Sequence, residues 1–257
     1  MRLTFLGTGT STGVPQIGCK CNVCRSSDPR DNRMRTSALI TTDSGNILID
    51  CGPDFRSQVL REGSPEINAL LITHSHYDHI GGLDDLRPYC RAEEAFPIFC
   101  APDVAERIRS IMPYCFGPHP YPGAPQISLS EIEPFETFKP FEVAPVFQAL
   151  PITHTETLQI YGYMTDGLGY VTDCKIMPDE TAEALKGIDT LVVNALRHTQ
   201  HPSHLSLDET LQLIDIINPR KAWLTHISHQ MGLHSEEDRK LPSGTHIASD
   251  GLTIEIA

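Results

Sequence analysis

The segment Thr73-His74-Ser75-His76-Tyr77-Asp78-His79 constrains this chain more than any other stretch. Three imidazoles and a carboxylate fall within six positions, directly after the apolar run Ala69-Leu70-Leu71-Ile72 and before Gly81-Gly82. Imidazole with carboxylate is a donor set for borderline divalent ions such as zinc, manganese or iron. No regular element puts His74, His76, Asp78 and His79 on one face, since on a strand His79 would point away from the others. The spacing therefore predicts a loop that leaves a buried strand and aims four side chains at two neighbouring points. A merely solvated polar loop would not need the buried strand before it.

Four further polar residues sit at or beside element ends. His154 follows Ala149-Leu150-Pro151-Ile152, Asp173 follows Gly169-Tyr170-Val171-Thr172, and His226 follows Ala222-Trp223-Leu224-Thr225. His204 lies just before a helix expected over Ser206–Ile217, where Ser206 and Glu209 form the capping-box pattern. One histidine after a strand is more often structural than a ligand. Several in a chain that already carries a metal loop shift that balance.

The cluster Cys19-Lys20-Cys21-Asn22-Val23-Cys24 offers three thiolates. This reads as a tetrahedral structural zinc site lacking one ligand. His229, three residues after His226, is the candidate fourth. The alternative is a redox pair of Cys21 and Cys24.

Length and charge narrow the rest. The 257 residues carry 33 acidic and 20 basic side chains, a formal net charge of -13. Such a balance opposes a broad nucleic-acid surface. No apolar stretch approaches the roughly 18 residues of a membrane span, and Met1–Gly7 reads as a first strand rather than a leader. The expectation is one domain over residues 1–257 with a zinc-binding loop near 14–35, in a cytoplasmic enzyme with no membrane or nucleic-acid partner; a homodimer is compatible with it.

The apolar pattern predicts strands at 2–8, 37–42, 46–50, 69–73, 97–101, 141–152, 159–165, 168–172, 190–194 and 221–225, with a closing hairpin at 245–256. Helices are expected at 53–61, 83–91, 102–112, 178–186 and 206–217. Two sheets packed together with helices outside would accommodate this order. The proline-rich stretch Pro113–Pro125 reads as a loop, a lid or a contact surface, with His119 as a candidate contact. The glycine-rich Gly7–Gly13 lacks the lysine and spacing of a phosphate loop and reads as a turn beside the site, with Thr10, Ser11 and Thr12 near substrate. Tyr77 either lines the pocket or packs, His198 and His201 read as surface residues, and Arg197 is a candidate phosphate partner.

His-x-His-x-Asp-His followed by a distant His, Asp and His, with Asp50-Cys51-Gly52 ending an early strand, resembles the metallo-β-lactamase superfamily over nearly the whole chain. The resemblance implies an α/β (α+β) fold, an αββα sandwich of two mixed β-sheets with flanking helices. It also implies a first metal on His74, His76 and His154, a second on Asp78, His79 and His226, and Asp173 between them. The cysteine trio, the pair His226 and His229, and Pro202-Ser203-His204 further resemble the cyclic phosphodiesterases of bacterial phosphonate degradation. That narrower likeness implies hydrolysis of a small cyclic phosphate such as phosphoribosyl 1,2-cyclic phosphate. His204 would then act near the leaving group. The catalytic candidates are His204 and Asp78, the expected cofactors two catalytic Mn2+ or Zn2+ ions and one structural Zn2+, and the partner a small phosphorylated substrate. A tRNA 3′-processing endonuclease shares the metal loop but needs a long basic arm, which the charge balance opposes. A lactonase or thioesterase of the same superfamily is the other alternative.

Overall fold

The computed structural model describes residues 1–90, 94–116 and 121–256. The chain begins with β1 (Arg2–Gly7), β2 (Ser37–Thr42), β3 (Gly45–Ile49), α1 (Phe55–Arg61), β4 (Ala69–Leu71), α2 (Tyr77–Ile80), β5 (Phe96–Cys100), α3 (Pro102–Ile111) and β6 (Ile127–Glu131). It continues with β7 (Thr137–Phe138), β8 (Phe147–Thr155), β9 (Leu158–Thr165), β10 (Leu168–Val171), α4 (Asp179–Leu185), β11 (Thr190–Asn194), α5 (Leu207–Ile217), β12 (Lys221–Thr225), α6 (His234–Glu237), β13 (Thr245–Ile247) and β14 (Thr253–Glu255). Two seven-stranded mixed sheets result, ordered β14-β1-β2-β3-β4-β5-β6 and β13-β12-β11-β10-β9-β8-β7.

The pleat explains why both sheets are buried on two sides. In β11, Val192 joins the core between the sheets, whereas Leu191 and Val193 join a second cluster with Leu185, Leu207, Leu213 and Ile217 of α4 and α5. In β9, Tyr161 and Tyr163 face the inter-sheet core and Ile160 the other side. Side chains alternate along a strand, so a strand covered on both faces reads as a continuous apolar run. Tyr163 ties the two sheets, its hydroxyl donating to the Ile72 carbonyl at 2.6 Å. That carbonyl belongs to the segment that delivers the histidine loop.

Several expectations need correction. The strand expected from Phe141 begins at Phe147, because Pro140 and Pro145 deny the ladder two N–H groups and residues 139–146 turn instead. The helix expected at 83–91 is a 3-10 turn over Leu83–Tyr89 that contains Pro88. The closing hairpin does not form. β13 pairs with β12 in the second sheet, and β14 pairs with β1 in the first. Asp250 pins the crossing between them, accepting from Thr8 N–H at 2.9 Å, Thr8 Oγ1 at 2.7 Å and Met34 N–H at 2.7 Å. Within Pro113–Pro125 the described residues show one 3-10 turn, Pro113–Cys115, and His119 lies outside the described residues. No helix among the described residues is long and apolar enough to cross a membrane.

Candidate metal centre

The site lies where strands of both sheets end. β4 leads into the loop with His74 and His76, and the short α2 carries Asp78 and His79. His154 sits near the end of β8, Asp173 follows β10, and His226 follows β12. Asp50 follows β3, at the first sheet's contribution to the same edge. Three of these residues, Asp50, Asp173 and His226, hold φ values of 60°, 56° and 56°. Left-handed backbone in a residue with a Cβ costs about 1–3 kcal/mol and concentrates where side chains must be aimed. Gly52 serves the same corner, since a Cβ there would collide with the Asp78 carbonyl oxygen.

The side chains fall into overlapping groups whose ligand atoms lie within 4.8 Å of one another. His74, His76 and His154 form one, and Asp78, His79 and His226 another. Asp173 groups with His74 and His79, and again with His154 and His204. Its Oδ1 is 3.1 Å from His226 Nε2 and its Oδ2 is 3.4 Å from His79 Nε2, so its carboxylate stands between the two trios.

The hydrogen bonds fix the imidazole tautomers. His154 Nδ1 is 2.7 Å from the Asp173 carbonyl oxygen, which can only accept, so the proton is on Nδ1 and Nε2 keeps its lone pair. Thr73 Oγ1 donates to Asp50, so it accepts from His74 Nδ1–H at 3.0 Å, and His74 Nε2 faces His76 Nδ1 at 3.1 Å. His79 Nδ1 donates to Asp50 Oδ2 at 2.7 Å. His79 Nε2 and His226 Nε2 are buried with no hydrogen-bond partner.

Charge tells the same story. Asp50, Asp78 and Asp173 are all buried. Among the described residues their ion-pair partners are histidines, with no Lys or Arg. Burial opposes a charge on His79, yet Asp50, Asp173 and Asp78 outweigh it and hold its pKa well above the ordinary value. Burial equally opposes ionised Asp78, and His79 and His226 overcome it to hold that carboxyl below its usual range. His204 is pushed down to about 3, by burial first and by His226 second. Three buried carboxylates beside orphaned imidazole nitrogens fit divalent cations, and the donor set suits zinc or manganese. Replacing Asp50 by Asn should weaken metal binding at the His79 position by about 10–100-fold, through loss of the group that orients the ring. Competition with a chromophoric chelator measures this.

A second group joins Cys19, Cys21, Cys24 and His229. His229 Nδ1 lies 3.6 Å from Cys19 Sγ and 3.4 Å from Cys21 Sγ. Cys21 is drawn down to about 6, mainly by the Cys24 backbone N–H, whereas burial pushes Cys24 up to about 11. Crowded thiols do not ionise together without a cation, and four N/S donors so close together suit zinc.

His204 Nδ1 is buried, lacks a hydrogen-bond partner and lies 3.6 Å from Asp173 Oδ1, with its ring stacked 4.8 Å from that of His226. The Gly7–Gly13 turn runs beside the site, Thr10 N–H donating to the Ile227 carbonyl at 3.1 Å. Tyr77 is 71% exposed, and its ring lies against Gly81. Arg197, the candidate phosphate partner, donates to Thr199 O, Gln200 O and Gln230 Oε1. His198, read as a surface residue, pairs with Glu237 at 3.1 Å, and His201 is partly buried with its ring 5.1 Å from that of His204. Asn194 escapes the sequence reading. Its side chain accepts from Cys174 N–H at 2.7 Å and donates to Cys174 O at 3.0 Å, clamping the backbone just past Asp173. An amide residue ending an apolar strand was the available signal.

The chain matches the family model for the β-lactamase superfamily domain over residues 45–227. It is similar to a diphosphatase of the PhnP family, with a TM-score of 0.90 and 39% identity, covering 99% of this chain and 97% of that one. It is 44% identical over 255 residues to an octanoyltransferase of Porphyromonas gingivalis, matching 98% of this chain and 51% of the relative. The chain therefore spans about half the length of that curated relative. Zinc-bound PqqB of Methylobacterium extorquens shares the fold, with a TM-score of 0.79 at 19% identity over 99% of this chain and all of that one. Full-length likeness in fold and the matched domain place this chain in the β-lactamase superfamily, with the metallo-β-lactamase fold.

Proposed function

We propose that this protein is a two-metal phosphodiesterase acting on a small cyclic phosphate, of the type of phosphoribosyl 1,2-cyclic phosphate. The observation that carries it is Asp173 standing between the trios His74, His76, His154 and Asp78, His79, His226. In this reading His74, His76 and His154 would hold one ion, Asp78, His79 and His226 would hold another, and Asp173 stands within reach of both groups. When bound, such ions would supply a water of lowered pKa and offset charge on phosphoryl oxygens. Asp50 and Thr73 keep His79 and His74 in their ligating tautomers. Asp78 acts through its ligation. Water attacks phosphorus and releases a proton to solvent, the bond from phosphorus to the sugar oxygen breaks, and His204 donates a proton or hydrogen bond to that oxygen. Cys19, Cys21, Cys24 and His229 would hold the structural zinc.

The similar PhnP-family structure favours a second reading, cleavage of a diphosphate. There the leaving group is itself a phosphate and needs less help from an acid. The octanoyltransferase name describes a protein about twice this length and is not carried over. An assay with added Mn2+ or Zn2+ on cyclic sugar phosphates, linear diphosphates, bis(p-nitrophenyl) phosphate, a lactone and pre-tRNA separates these readings. Turnover restricted to the lactone or to pre-tRNA would overturn the proposal. His204→Ala should retain its metals and lose about 10²-fold more activity on the cyclic sugar phosphate than on the aryl diester, since only the sugar alkoxide needs a proton. Equal losses would make His204 a phosphate or metal contact.

A further inference from the structure

We propose that Arg197 is a positioning residue, which holds the loop carrying His204 against the loop carrying His229 and so sets the approach of His204 to the leaving oxygen. The second half rests on the proposed function; the first rests on geometry alone. The loop at 197–206 is closed at its base by Leu196 N–H to Leu205 O at 3.0 Å and Leu207 N–H to Arg197 O at 2.9 Å. From that base the Arg197 guanidinium reaches in two directions. Nε donates to Thr199 O at 3.2 Å and Nη2 to Gln200 O at 3.1 Å, folding the first part of the loop. Nη1 donates to Gln230 Oε1 at 2.7 Å. Gln230 follows His229, and its own N–H donates to Ser228 Oγ at 3.2 Å.

The folded loop then presents two rings. His201 Nδ1 accepts from Ser203 N–H at 3.3 Å, and its ring lies 5.1 Å from that of His204. His204 Nδ1 has no hydrogen-bond partner of its own. Its direction is thus set by the backbone on either side of it and by neighbouring rings, including His154 and His226. A planar fork with donors on three nitrogens can serve two carbonyls and an amide at once, which a lysine ammonium on a flexible stem cannot reproduce.

The test compares the full-length, metal-loaded protein with Arg197→Ala, Arg197→Lys, His204→Ala and the double variant Arg197→Ala/His204→Ala. On a cyclic sugar phosphate, Arg197→Ala should lower kcat about tenfold or more, with KM and metal content unchanged. On bis(p-nitrophenyl) phosphate the loss should stay within about threefold, because a good leaving group needs little acid. Arg197→Lys should recover only part of the loss. The double variant should be no worse than His204→Ala, as expected of residues that act as one unit. Hydrogen exchange gives the readout that needs no substrate. Amides of residues 199–204 should exchange about tenfold faster in Arg197→Ala, with the rest of the protein unchanged. Unchanged exchange there would overturn the positioning role. A rise confined to KM would restore Arg197 as a phosphate contact. Equal losses on both substrates, or additive losses in the double variant, would also overturn it. A wild-type protein inactive on every phosphate ester would remove the proposed function and the leaving-group half of the inference, while exchange still decides whether Arg197 holds the loop.

Discussion

Asp173→Ala is expected to lose at least about 10⁴-fold in kcat/KM while remaining folded. The carboxylate is buried, approaches His226 at 3.1 Å and His79 at 3.4 Å, and groups with His74 and His154 as well. No other carboxylate in the site groups with members of both trios. Its removal should weaken both ions and separate their effects on substrate. The backbone complicates the alanine variant, because Asp173 sits at φ 56°. Asn tolerates left-handed backbone better than Ala, so Asp173→Asn should unfold at a higher Tm than Asp173→Ala while being nearly as inactive. Steady-state kinetics, metal content and thermal unfolding of both variants check this. Substantial activity in Asp173→Asn would show that a neutral oxygen suffices and that the bridging charge is not needed.

Cys21→Ser is expected to lower zinc content by about one ion and to cost several kcal/mol of stability, on the order of 3 kcal/mol or more. The reason lies in the segment it holds. Between Gly9 and Arg35 the described structure is two 3-10 turns, Val23–Arg25 and Pro29–Asp31, with isolated bridges. Ile17 in this stretch is 95% exposed. A stretch with so little packed surface cannot supply its own core. The cysteine cluster ties it to His229 and hence to the loop leaving β12. Thermal unfolding with and without a chelator measures the effect. His229→Ala with unchanged zinc content would assign the fourth position to another group. Cys21→Ser with unchanged Tm would make the cluster dispensable.

The residues grouped by local spacing were legible without coordinates. His74, His76, Asp78 and His79 sit in one loop, and the C-x-C-x2-C trio in another, so chemistry and proximity are both written in short sequence. His154, Asp173 and His226 were legible as polar residues after apolar runs, a signal that exists because strand ends of both sheets meet at one edge. What the sequence hid depends on pairings between distant segments. The closing hairpin failed because β13 and β14 choose different sheets, a choice fixed by Asp250 reaching Thr8 and Met34. The support of the site was equally hidden. Asn194 clamps Cys174, Thr73 relays between Asp50 and His74, and Arg197 donates to two carbonyls of its own loop and to Gln230. Each is a single polar residue whose role is set by partners that no periodicity reveals.

The central claim is that this edge of the fold assembles a two-metal centre beside a separate zinc site. Elemental analysis of metal-depleted protein after reconstitution with Mn2+ or Zn2+ and removal of excess tests it most directly. The account predicts about three ions per chain, falling to about two in Cys21→Ser. Fewer than two ions bound per chain by the reconstituted wild-type protein would contradict it.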